Sequence, residues 1–70
     1  MEMVPASSSN VASVGYERST QTLAVTFLHG GTYHYSGVPE DIYLGLLSAE
    51  SVGSFLHQNV KGIYPYKKVA

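Results

Sequence analysis

Between residues 11 and 36 apolar and polar positions alternate, whereas beyond Gly37 the apolar positions recur every three or four residues. The first spacing is that of a half-buried strand and the second that of an amphipathic helix, so the chain passes from sheet to helix across Gly37-Val38-Pro39. Residues 1–10 show neither period. With Pro5 and the run Ser7-Ser8-Ser9-Asn10, whose short polar side chains favour local turns, they predict a flexible N-terminal leader. A first strand is expected over Val11 to Tyr16, with Val14 and Tyr16 on one face, Ser13 and Gly15 on the other, and a bulge at Gly15. After the polar connector Glu17 to Gln21, Leu23, Val25 and Phe27 alternate with Ala24, Thr26 and Leu28 in the clearest strand, expected at the centre of the sheet.

His29-Gly30-Gly31 then predicts a hairpin, and the loop length decides where the next strand points its side chains. A two-residue Gly30-Gly31 turn pairs Leu28 with Tyr33 and places Tyr33 and Tyr35 on the face of Ala24, Thr26 and Leu28. A three-residue loop with Gly31 in the left-handed conformation pairs Phe27 with Tyr33 and Val25 with Tyr35. The second is favoured, because it gathers the large apolar bodies on one face and turns Thr32, His34 and Ser36 outward, whereas the first buries an imidazole without a partner.

Pro39 suits the first position of a helix, where its missing N–H is no loss, and Glu40 and Asp41 follow where the helix dipole favours anions. Ile42, Tyr43, Leu46 and Leu47 form one face of this helix. Ser48 is the expected cap of a second, with Val52, Phe55, Leu56 and Val60 as its apolar face and Gly62 as its stop. The tail Ile63 to Val69 alternates again, and Pro65 confines it to an edge strand or an extended arm. The expected architecture is therefore α+β. A three-stranded antiparallel meander is followed by two short helices packed on one face and a C-terminal edge strand or arm, all within one domain over residues 11–70.

Composition narrows the chemistry. Hydrophobic residues make up 44% of the 70 and charged residues 13%, enough apolar material for one small core. The absence of cysteine excludes disulfides, thiolate catalysis and cysteine-held metal centres. The N-terminus carries Glu2 and no apolar run, unlike a signal peptide, and no segment approaches membrane-spanning length, so a cytoplasmic protein without a membrane partner is expected. The net charge of −1 conceals a gradient: residues 1–50 hold five acids against Arg18, and residues 51–70 hold Lys61, Lys67 and Lys68 with no acid. A strong general nucleic-acid binder has a more basic balance than this.

Several short motifs combine into a family resemblance. Val14-Gly15-Tyr16, Leu23-x-Val25-x-Phe27, Gly31-x-Tyr33-x-Tyr35-x-x-Val38-Pro39, Tyr43-x-x-Leu46, Ser51-x-Gly53-x-Phe55 and Ile63-Tyr64-x-Tyr66 occur in the order and spacing of the KTSC domain, which the chain resembles over about residues 7–69. That family is named for its place at the C-terminus of some lysyl-tRNA synthetases and also occurs as short free-standing bacterial proteins. The resemblance implies a small binding module, and the synthetase context implies RNA as its ligand.

The residues themselves offer two surfaces for such a role. Tyr33 and Tyr35 could supply rings for base stacking beside Lys61, Lys67 and Lys68, although the favoured hairpin register makes them core tyrosines with wet hydroxyls. Tyr64-Pro65-Tyr66-Lys67-Lys68 is either a basic, aromatic contact surface or an edge strand whose lysines deter aggregation. With the outward His34, the candidate nucleic-acid-binding set is Tyr33, His34, Tyr35, Lys61, Tyr64, Tyr66, Lys67 and Lys68. The alternative is a protein-interaction or oligomerisation module that uses the Tyr64 to Val69 edge and no nucleic acid. His29, His34 and His57 have no metal-ligand spacing, and no nucleophile elbow surrounds Ser51 or Ser54, which are read as first-turn helix residues. Gly30-Gly31 introduces a strand and not a helix, so it is a turn and not a phosphate cradle. No enzyme activity, metal or cofactor is expected.

Overall fold

The computed structural model describes residues 1–70 and contains one antiparallel sheet of five strands in sequential order, with two helices between the fourth and fifth. The strands are β1 (Met3–Pro5), β2 (Val11–Glu17), β3 (Thr22–Phe27), β4 (Gly31–Tyr35) and β5 (Tyr66–Lys68), and the helices are α1 (Glu40–Leu47) and α2 (Val52–Asn59). The α+β meander, the helix pair and the C-terminal edge strand are thus all present. No helix is long and apolar enough to cross a membrane.

One face of the sheet carries the core. Val14 and Tyr16 lie opposite Val25 and Leu23, and these lie opposite Tyr33 and Tyr35, so the side chains share a face. Val38, Leu46, Leu56 and Val60 close over them to form a single buried cluster. Each fully buried leucine or valine in it contributes about 1.5–3 kcal/mol. The other face is smaller and more polar: Ser13, Gly15, Ala24, Thr26, Thr32 and His34, with Lys67 of β5 opposite His34.

Tyr16 fastens the sheet to the helices. Its ring stacks on that of Tyr43 at 5.2 Å and 13°, and its hydroxyl donates to the Val38 carbonyl, whose own N–H donates to the Gln21 carbonyl at 2.9 Å. An ion pair from Arg18 Nε to Glu40 Oε2 at 2.6 Å joins the same two regions, but both side chains are exposed and the pair adds little.

Six local expectations are corrected. Residues 1–10 are not wholly a leader, because Met3–Pro5 pairs with Ser13–Gly15 and the Ala6 N–H donates to the Ala12 carbonyl at 3.0 Å. All three β1 residues remain exposed, so the strand is held by its backbone and leaves no apolar period to read. The bulge falls between Val11 and Ser13 and not at Gly15. The extra residue returns Val11 to the core face, where it is fully buried opposite Phe27. Gly15 instead permits close approach: a Cβ there would lie 2.6 Å from Met3 Sδ and 2.8 Å from the Glu2 carbonyl oxygen.

In the β3–β4 hairpin, Gly31 is left-handed at φ 82° as expected, but Tyr33 pairs with Val25 and Tyr35 with Leu23. The slip is two residues, which preserves the faces. The second helix is capped by Ser51, whose Oγ accepts from the Ser54 N–H at 3.3 Å, while Ser48 Oγ donates back to the carbonyls of Leu44 and Gly45 at the end of α1. Finally, Leu47 lies outside the buried face of α1 and is exposed, as is Leu44; Leu46 is the buried leucine, and Pro39 precedes the helix as its N-cap.

Candidate functional site

Pairing β5 against β4 brings Tyr66 opposite Tyr35 and Lys68 opposite Tyr33. Four aromatic rings then follow one another on the core face along β3, β4 and β5. Phe27 and Tyr33 pack edge-to-face at 5.7 Å, and Tyr66 tilts against both Tyr33 and Tyr35 at 5.6 and 5.8 Å. These spacings are those of favourable aromatic pairs. The rings form the floor of an open cleft of about 470 Å³, walled by Asn10, by His29 and Gly30 of the hairpin, and by Lys61 and Gly62 after α2.

Each wall has a local cause. The carbonyl of Leu56 accepts from the N–H groups of Val60 and Lys61 at 2.9 and 2.8 Å, and Gly62 takes φ 79°, which ends α2 and sends Lys61 towards the sheet. There Lys61 Nζ stands 4.9 Å from the centre of the Phe27 ring, a cation–π contact. The left-handed Gly31 carries the hairpin around, and the Thr32 N–H and carbonyl are held by Ala70 and Val69, which clamps the tail beside the cleft.

Burial grades the tyrosines. Tyr35 is 3% exposed and belongs to the core, Tyr33 is half-buried, and Tyr66 is 64% exposed. Burial raises the Tyr35 hydroxyl above the ordinary tyrosine value, and the neighbouring Tyr33 and Tyr66 add to the shift. No buried side-chain polar atom lacks a partner, so the Tyr35 hydroxyl, which bonds no protein group, opens to the cleft. Tyr16, remote from the cleft at the Val38 carbonyl, is also raised, chiefly by burial and then by Glu40 and Asp41, with Arg18 opposing.

Of the residues expected from the sequence, the structure therefore brings together Tyr33, Tyr35, Lys61 and Tyr66 in the cleft lining, while Lys68 lies outside that lining, opposite Tyr33 and against Gly31. It separates His34 and Lys67, which share the opposite face, and it packs Tyr64 against the core. Phe27, His29 and Asn10, outside the expected nucleic-acid-binding set, complete the cleft. Phe27 reads as one more core position of an alternating strand, and nothing in its sequence neighbourhood reveals that it stops at the cleft floor. The three histidines lie on separate elements: the hairpin, β4 and α2.

An antiparallel sheet of five strands, a helix pair and an aromatic cleft beside β5 define a small α+β domain of one kind. The KTSC domain model matches residues 7–64, and the chain belongs to the KTSC domain family. The crystal structure of a KTSC domain protein from Yersinia pestis superposes with a TM-score of 0.96 at 36% identity, covering 99% of this chain and 97% of that one. A protein from Tsukamurella paurometabola is 42% identical over 59 residues, 84% of this chain and 88% of its own length. An uncharacterised protein from Stutzerimonas stutzeri is 38% identical over 61 residues, 87% and 86% respectively. A lysine–tRNA ligase from Trichormus variabilis is 36% identical over 55 residues, which are 79% of this chain but 10% of the ligase.

Proposed function

We propose that this chain is a non-catalytic cytoplasmic module that binds single-stranded nucleic acid, RNA first among the candidates, in the aromatic cleft. The observation that carries the reading is the exposed Tyr66 ring supported from beneath by Tyr33 and Tyr35, in a cleft that Lys61 also lines from its place over Phe27. A solvent-facing ring next to a cation is the combination on which an unpaired base stacks while its phosphate is neutralised. The occurrence of a similar stretch within lysine–tRNA ligases supports the same direction, since those proteins are named for an RNA substrate.

Titration of fluorescently labelled single-stranded RNA, followed by anisotropy at low and moderate salt, tests the reading. Binding that weakens as salt rises is expected, and no binding at either salt would end it. Lys68→Glu should weaken binding more than Lys67→Glu, because only Lys68 shares the face of the cleft.

A second reading, self-association through β5, is favoured by one observation: the strand's outer edge has no neighbour in the sheet and all three of its residues are exposed. Light scattering over a range of concentrations distinguishes it, because a strict monomer is incompatible with self-pairing.

A further inference from the structure

We infer that the cleft accepts one nucleotide, the base on Tyr66 and the adjoining phosphates at Lys61 and Lys68, and does not track an extended strand; the inference rests on the nucleic-acid reading above. Three features of the cleft limit it to a single base. The first is the number of free aromatic faces. Tyr33 has Phe27 edge-to-face on it and Tyr66 tilted over it, and Tyr35 is 3% exposed, so Tyr66 alone keeps a broad ring surface in solvent. One free ring stacks one base.

The second is size. About 470 Å³ lies in the lower part of the range for small-ligand clefts, roughly 300–1,000 Å³, and is bounded at one end by the hairpin residues His29 and Gly30 and at another by Lys61 and Gly62. A strand entering it can bury one residue and must leave its neighbours outside.

The third is the charge layout. Extended single-strand grooves follow the backbone with a row of cations. Here Lys61 stands over Phe27 and Lys68 shares the face of Tyr33, while Lys67 is turned to the other side of the sheet and Arg18 is paired with Glu40. Two ammonium groups serve one or two phosphates and provide no track beyond them.

The test uses the full chain and labelled oligouridylates from a single nucleotide to roughly eight. Affinity is expected to reach its plateau by the second nucleotide. The slope of log affinity against log salt should be about −1.4, the value for two phosphates neutralised on a single strand. Tyr66→Ala should lower affinity roughly 5- to 150-fold, the loss of one stacked base. Because Tyr66 lies on an exposed edge strand, a circular-dichroism melt of the variant separates loss of binding from loss of fold. Affinity that keeps rising with length, a slope steeper than that for three phosphates, or tight binding by a folded Tyr66→Ala overturns the one-nucleotide site while leaving RNA binding in place. No binding at any length overturns both.

Discussion

Replacing Tyr16 with phenylalanine removes one hydroxyl and leaves the ring stacked on Tyr43. The hydroxyl donates to the carbonyl of Val38, a residue with no solvent exposure, on the linker between the sheet and α1. Truncation therefore leaves a buried acceptor unpaired, which costs about 1–3 kcal/mol, more than the net value of an exchangeable surface hydrogen bond. A domain of this size loses roughly 4–8 °C of Tm per kcal/mol, so the deficit is measurable by urea or thermal unfolding at neutral pH.

The same bond gives a second, independent readout. Burial, reinforced by Glu40 and Asp41, holds the Tyr16 hydroxyl above the ordinary tyrosine value of about 10. In the folded state the proton is retained at a pH where the unfolded chain has lost it. The unfolded state then binds fewer protons, and stability falls as pH rises. The contribution of Tyr16 is full below about pH 10 and is lost above it as pH passes through the raised folded value, whereas phenylalanine has nothing to ionise. The gap in unfolding free energy between wild type and Tyr16→Phe should accordingly narrow as pH climbs past 10. A variant as stable as wild type at neutral pH, or a gap that stays constant into alkali, would refute the role assigned to this hydroxyl.

Tyr35 ionisation, followed through its side-chain NMR shift, should lie above the ordinary tyrosine value and move back towards it in Tyr66→Ala, which uncovers the ring; an unchanged midpoint would contradict the covering role of Tyr66. Ser51→Ala should destabilise the domain by about 0.5–2 kcal/mol in urea unfolding, the cost of an N-cap, with Ser48→Ala close to neutral because its exposed hydroxyl only doubles carbonyls at the end of α1. Equal losses at the two serines would mean that the caps are misassigned. Gly15→Ala should push β1 off the sheet, since its Cβ meets Met3 and the Glu2 backbone. Amide exchange at Ala6 should then quicken while the centre of β3 stays protected, and an unaltered Ala6 would show that β1 can adjust around the methyl group.

Where side chains face a core, the amino-acid sequence shows most of the pattern, Val11 and Leu47 being the exceptions. The two-residue alternation of Leu23, Val25 and Phe27 and the helical spacing of Leu46, Leu56 and Val60 identify β3, α1, α2 and the buried cluster, because burying apolar groups is the dominant favourable term and leaves its period on the chain. The face of Tyr33 and Tyr35 was equally legible, since a wrong parity would bury His34. Their partners were not: Val25 and Leu23 stand where Phe27 and Val25 were expected, and a two-residue slip leaves every face unchanged.

What only the tertiary structure decided is what depends on backbone pairing and distant elements. β1 is held by hydrogen bonds to β2 and none of its three residues is buried, so no hydrophobic period records it. The cleft joins Phe27 of β3, Lys61 after α2 and Tyr66 of β5, which become neighbours only when the helix pair returns the chain to the free edge of β4. The tyrosines were visible as residues; which one keeps an open ring was set by Tyr66 landing on Tyr33 and Tyr35, a contact between segments 31 and 33 positions apart that local sequence does not encode.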